Sequence, residues 1–65
     1  MNFGKSLQAA MEEQELTHQQ TADIVGVKRQ MIGDYLKKKS VTMRLAEKWA
    51  KALGYTFNEF MELGE

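Results

Sequence analysis

A chain of 65 residues without cysteine has room for one domain and one small core, with no disulfide or thiolate metal site to support it. No apolar run approaches ~20 residues and the amino terminus lacks the apolar stretch of a signal peptide, so a soluble, cytoplasmic protein is expected. The formal net charge is zero, which argues against an indiscriminate polyanion binder.

The absence of proline and the scarcity of β-branched residues favour an all-α fold. Phe3, Leu7, Ala10, Met11 and Gln14 mark an opening helix, capped by Asn2 and ending before Leu16. Leu16 suits a hydrophobic staple ahead of the next helix, where Thr17 and Gln20 form the T-x-x-Q capping box. Ala22 and Val25 face inward, Gly26 can end the helix in the left-handed conformation, and Val27 can tuck beneath the turn. In the third helix Ile32, Tyr35 and Leu36 recur at helical spacing, while Lys28, Arg29, Gln30 and Asp34 project elsewhere. Two short helices about a tight turn, the second offering its polar amino-terminal end to a partner, make a helix-turn-helix.

A basic connection, Lys37-Lys38-Lys39-Ser40-Val41, leads to a fourth helix capped by Thr42 and striped by Leu45, Ala46, Trp49, Ala50 and Leu53. Gly54 ends it. Thr56 and Glu59 form a second capping box that opens a fifth helix carrying Phe57, Phe60, Met61 and Leu63. The expectation is one domain over residues 1–65, built of five helices with no repeat or low-complexity tract.

Residues 28–44 hold Lys28, Arg29, Lys37, Lys38, Lys39 and Arg44 against Asp34 alone, a local balance of plus five that the rest of the chain cancels. Such a molecule turns one face to a polyanion and its acidic face away. Taken alone, Lys37 to Lys39 also fits a solvated helix end, where cations suit the macrodipole. Gly33 is out of place inside a helix; either a bulkier residue would collide with a bound partner, or it is a tolerated surface glycine. Catalysis has little to rest on, with one His, no Cys and no Ser–His pairing. His18 has no second His at metal-ligand spacing, and it either meets a phosphate at the start of the second helix or is simply exposed there. No enzyme activity, metal, cofactor or small-molecule ligand is expected.

The run Leu16-Thr17-x-x-Gln20-x-Ala22-x-x-Val25-Gly26-Val27, then Arg29-Gln30-x-Ile32 and Tyr35, resembles the Cro/repressor family of helix-turn-helix DNA-binding proteins, which includes the phage Cro-like regulators. The likeness continues through Leu45, Trp49 to Gly54, Phe57, Glu59 and Phe60, and spans about Leu7 to Met61. It implies a compact five-helix, lambda-repressor-like domain whose third helix enters the major groove of double-stranded DNA. On that match Arg29 and Gln30 are the leading base readers, with Asp34 and Lys28 beside them. Arg can fork onto guanine and Gln onto adenine, while Asp34 could accept from a cytosine amino group or hold Arg29 in place. Lys28 stands where the family often has a capping Ser or Thr. Thr17, His18, Gln19, Lys37, Lys38 and Lys39 are the expected phosphate contacts, and Arg44 matches a position that can approach the minor groove. Met31 is either core or a contact to a thymine methyl; Ile32, Tyr35 and Trp49 are assigned to packing. Where many members pair an Arg with a Glu, this chain has Met11 and Leu36, which are expected to touch.

The resemblance further implies a transcriptional repressor that binds a near-palindromic operator as a homodimer, with half-sites ~34 Å apart. Phe57 and Tyr55 are the candidate dimer interface, unless Phe57 covers its own core. The rival is an antitoxin-type or other protein-binding regulator on the same fold; the chain stops almost at the end of the fifth helix, leaving no obvious partner segment. A bacterial, nucleoid-associated setting, of phage or prophage origin, would suit the Cro-like reading, with no role at a membrane.

Overall fold

The computed structural model describes residues 2–65, in which five helices follow one another: α1 (Phe3–Glu13), α2 (His18–Val25), α3 (Arg29–Leu36), α4 (Met43–Ala52) and α5 (Phe57–Leu63). No strand occurs among the described residues. The expected all-α, five-helix architecture with the helix-turn-helix in α2 and α3 is the one observed.

Four of the helices begin on a side-chain cap. Asn2 accepts from the Lys5 N–H at 3.0 Å, and Thr42 from that of Leu45 at 3.3 Å. Both expected capping boxes form, Thr17 with Gln20 and Thr56 with Glu59. Only α3 starts without one, because Lys28 at its N-cap has no acceptor to offer. Gly26 (φ 84°) and Gly54 (φ 91°) turn the chain out of α2 and α4 in the left-handed region. The N–H groups of Val27 and Tyr55 then donate back to the carbonyls of Ala22 and Ala50, closing Schellman-type ends. At the end of α1 the same left-handed role falls to Glu15 (φ 54°), and the Leu16 N–H returns to the Met11 carbonyl at 2.8 Å.

The core lies where α1, α3, α4 and α5 converge. Trp49 is 1% exposed, and its ring centroid lies 5.6 Å from Phe3 and 4.9 Å from Tyr35; Phe3 in turn meets Phe60 at 5.6 Å. Edge-on and tilted rings of this kind add ~0.5–1.5 kcal/mol per pair beyond the area they bury. Leu7, Ala10, Ala22, Val25, Ile32 and Ala50 complete the apolar interior. Two buried hydroxyls are satisfied: Ser6 donates to the Met61 carbonyl at 3.2 Å and Thr21 to that of Thr17 at 2.9 Å.

One joint was not visible in the periodicity. The N–H groups of Phe3 and Gly4 donate to the carbonyls of Lys39 (2.9 Å) and Lys38 (2.8 Å). These are two of the orphan donors at the start of α1, so the opening helix is tied by its backbone to the basic connection after α3. Gly4 is required for the approach. A Cβ there would overlap the Leu36 carbonyl oxygen and stand 2.9 Å from that of Lys38.

Candidate nucleic-acid interface

The segment that sets the site is the turn between α2 and α3. Val25 and Ile32 are buried on either side of it, and half-buried Val27 packs on the core between them. With those three anchored inward, Lys28, Arg29 and Gln30 are all exposed at the amino-terminal end of α3, and Asp34 is exposed one turn on. Arg29 and Asp34 are five residues apart, outside the three- and four-residue spacings at which helical side chains meet. Gln30 is the nearer neighbour of Asp34 by that measure. Met31 is half-buried, at the edge between core and surface.

Lys37, Lys38 and Lys39 are exposed along the connection. Their backbone is held by the two bonds from α1, and the Lys38 ammonium lies 5.6 Å from the centre of the Tyr35 ring, a cation–π position. Three cations in an unstructured loop would lose more side-chain and backbone freedom on meeting a phosphate. Arg44 is exposed in the first turn of α4.

Helix polarity gives these placements their meaning. The N-terminus of a helix carries partial positive charge, so a cation there is disfavoured by ~0.3–1 kcal/mol and an anion is welcomed. Lys28 and Arg29 nevertheless stand at the start of α3 and Arg44 at the start of α4, with no acidic residue in either first turn. Side-chain charge and helix dipole therefore add at each of these two helix starts. The arrangement favours an anion there, at a small cost to the free fold.

The start of α2 is more committed internally than its composition suggests. The Thr17 hydroxyl accepts from the Gln20 N–H at 3.0 Å, and the Thr17 N–H donates to Gln20 Oε1 at 2.9 Å. Gln19 donates one amide proton to Asp23 at 2.9 Å. Thr17 thus serves first as the cap that fixes α2. His18 is exposed and shares the wall of an open groove with Gln8, Met11, Glu12, Glu15, Leu16 and Leu36. Met11 and Leu36 therefore face one concavity, with Met11 buried and Leu36 half-buried.

Phe57 is half-buried and packs against the molecule's own core. Tyr55 is half-buried too; its hydroxyl donates to Glu13 at 3.1 Å and its ring centroid lies 6.3 Å from that of Phe60. Sequence reasoning also missed the Gln14 amide, which donates to the Leu53 carbonyl at 2.8 Å and ties the end of α1 to that of α4. Among the described residues no group of acidic, His or Cys side chains could hold a metal, and no helix is long and apolar enough to cross a membrane.

Comparison with known proteins agrees with this geometry. A family model described as helix-turn-helix matches residues 7–60, which takes in α1 from Leu7 onward, the turn at Gly26, all of α3 and α4, and α5 as far as Phe60. No curated protein and no solved structure matches the chain at a significant level. With the family match covering most of its length, the chain belongs to the helix-turn-helix family of Cro/C1 type and is a DNA-binding transcription regulator.

Proposed function

We propose that the protein is a Cro-like repressor that binds a near-palindromic operator as a homodimer, the whole chain serving as one DNA-binding head. The single observation that carries the reading is the placement of Lys28, Arg29 and Arg44 at helix amino-termini without a neutralising acid in the first turn. In this reading α3 lies in the major groove, where Arg29 forks onto the O6 and N7 of a guanine and Gln30 onto the N6 and N7 of an adenine. Lys28 and Asp34 contact the flanking bases, with Asp34 accepting from a cytosine amino group. His18 and Gln19 at the start of α2, together with Lys37, Lys38 and Lys39, meet phosphates and fix the register; Thr17 contributes through the helix it caps. Arg44 enters the minor groove between the half-sites.

A single head covers too little DNA to be both tight and selective, which favours two. The size agrees. The Cα atoms extend 24 Å along the longest axis, and a side-chain layer of ~3 Å on each side brings this to ~30 Å. Two heads on half-sites ~34 Å apart would thus stand side by side. Phe57, with Tyr55 at its border, is the apolar surface we assign to the contact, through the part of each ring that the core leaves uncovered. Repression would follow from occupancy, which excludes polymerase or another regulator from the same DNA.

Selection from a randomised duplex pool, followed by salt titration of the winner with native protein and with Arg29→Ala, tests this. A recovered near-palindrome, a steep salt slope and specificity relaxed at one base pair per half-site are expected. The absence of any enriched sequence, with binding indifferent to Arg29→Ala, overturns the operator reading and would direct attention to a protein partner.

A further inference from the structure

Four of the five glycines have a reason inside the molecule. Gly26 and Gly54 occupy positive φ, while a Cβ at Gly4 or Gly64 would collide with neighbouring backbone or with Ser6. Gly33 has none. It lies inside α3 with helical backbone, and a Cβ built there meets no heavy atom within 4 Å. A glycine in a helix interior lowers the folding equilibrium constant about fivefold relative to alanine. The fold would therefore be more stable with a methyl at this position, and has the room for it.

Position decides what the space is for. Gly33 follows Arg29 by four residues and Gln30 by three, so it lies on the same face of α3 directly behind both, with Lys37 four residues further on. Long polar side chains thus surround a bare stretch of helix. On the side where its side chain would stand, glycine offers neither donor nor acceptor. A base-edge amino group, carbonyl or ring nitrogen pressed against it would lose its water and gain no partner. The major-groove edge has one group that asks for no hydrogen bond, the C5 methyl of thymine.

We propose that Gly33 is a specificity-determining residue whose missing side chain forms a notch on α3 that admits a thymine methyl. The proposal rests on the reading above in which α3 enters the major groove. It assigns one position per half-site to a T·A pair, chosen by shape, next to the pairs that Arg29 and Gln30 read by hydrogen bonds.

The test uses the duplex recovered by selection and a set of copies in which each thymine in turn is replaced by deoxyuridine, which lacks only the methyl. Native protein should lose about fourfold in affinity at one such position, as fits the burial of a single methyl group. Gly33→Ala should bind the thymine duplex at least about tenfold more weakly than native, and should recover most of that loss on the duplex carrying deoxyuridine at the same position. Its melting temperature should rise, so that weakened binding cannot be ascribed to unfolding. Native-like affinity of Gly33→Ala for the thymine duplex, or a loss equal on thymine and deoxyuridine, overturns the notch. If Arg29→Ala leaves base preference unchanged, or selection enriches nothing, the major-groove reading fails first and the notch with it.

Discussion

Gly4→Ala is the substitution for which local and tertiary reasoning give opposite signs. Position 4 lies in the first turn of α1, and helix propensity alone gives alanine an advantage of ~1 kcal/mol there. In the folded chain, however, the added methyl overlaps the Leu36 carbonyl and crowds that of Lys38. Both are backbone atoms and cannot swing aside. Forcing a methyl into a filled contact costs ~1–3 kcal/mol. Moving α1 away instead breaks the bonds from Phe3 and Gly4 to Lys39 and Lys38, and each unsatisfied donor then costs ~1–3 kcal/mol. Set against the propensity gain, the forced methyl leaves a net loss of up to ~2 kcal/mol and the displaced helix one of ~1–5 kcal/mol, a large share of the ~3–5 kcal/mol that a core of this size supplies. At roughly 4–8 °C per kcal/mol for a domain of this length, a net loss of ~1–2 kcal/mol should lower the melting temperature followed by far-ultraviolet circular dichroism by ~5–15 °C. Hydrogen exchange should show the Phe3 and Gly4 amides losing protection first. A melting temperature equal to or above that of the native chain would refute the reasoning, since it would mean that α1 does not approach the α3–α4 connection closely.

Glu15→Gly should stabilise the chain by about 0.5–1 kcal/mol, because the relief of a left-handed non-glycine residue outweighs the extra freedom of the unfolded glycine; denaturant titration that shows a loss would count against the conformation. Gln14→Ala removes the amide that serves the Leu53 carbonyl and should cost about 1 kcal/mol by the same titration, with no change in affinity for DNA. Arg44→Ala should raise stability by a few tenths of a kcal/mol by removing a cation from the start of α4, while lowering DNA affinity and the salt slope by about one unit. A flattened slope without the gain in stability would separate the role of Arg44 on DNA from the dipole argument.

The fold was legible where a residue type answers a local demand. Thr17, Thr42 and Thr56 declare helix starts, Gly26 and Gly54 declare stops, and the stripes through Phe3, Ile32, Trp49 and Phe60 mark what lies inside. What remained hidden are contacts between residues distant in sequence. The seat of Gly4 on the Leu36 and Lys38 carbonyls, and the bond from Gln14 to Leu53, depend on backbone groups that every residue possesses and that no pattern flags. The left-handed Glu15 was hidden for a different reason: the end of α1 is set by the half-buried anchor Leu16 beyond it, which packs on the core and overrides the preference of the residue in between. At the interface, exposure of Lys28, Arg29, Gln30 and Asp34 followed from knowing which of their neighbours are apolar. The internal pairing of Thr17 with Gln20 and of Gln19 with Asp23 narrows what the start of α2 can offer a phosphate.

A net charge of zero is at first sight a poor basis for binding DNA, and the distribution resolves the difficulty. Nonspecific affinity grows with the number of phosphates neutralised and falls with salt in the same proportion. Glu12 and Glu13 close α1, Glu15 follows it, and Glu59 and Glu62 lie on α5; they subtract from the long-range attraction of the molecule without touching the short-range contacts that Arg29, Lys37, Lys38, Lys39 and Arg44 would make. Long-range attraction is what holds a regulator to random sequence, so weakening it raises the ratio of specific to nonspecific binding. Lys28, Arg29 and Arg44, set against their helix dipoles, leave the free chain less stable than it need be. Bound DNA relieves that opposition, and a site present at one hundred times its Kd adds about 2.7 kcal/mol to folding. Melting in the presence of the selected duplex should therefore shift upward by ~10 °C or more, while an equal concentration of unrelated duplex at moderate salt shifts it little. Equal shifts for the two duplexes would mean that the acidic residues do not suppress binding to random sequence.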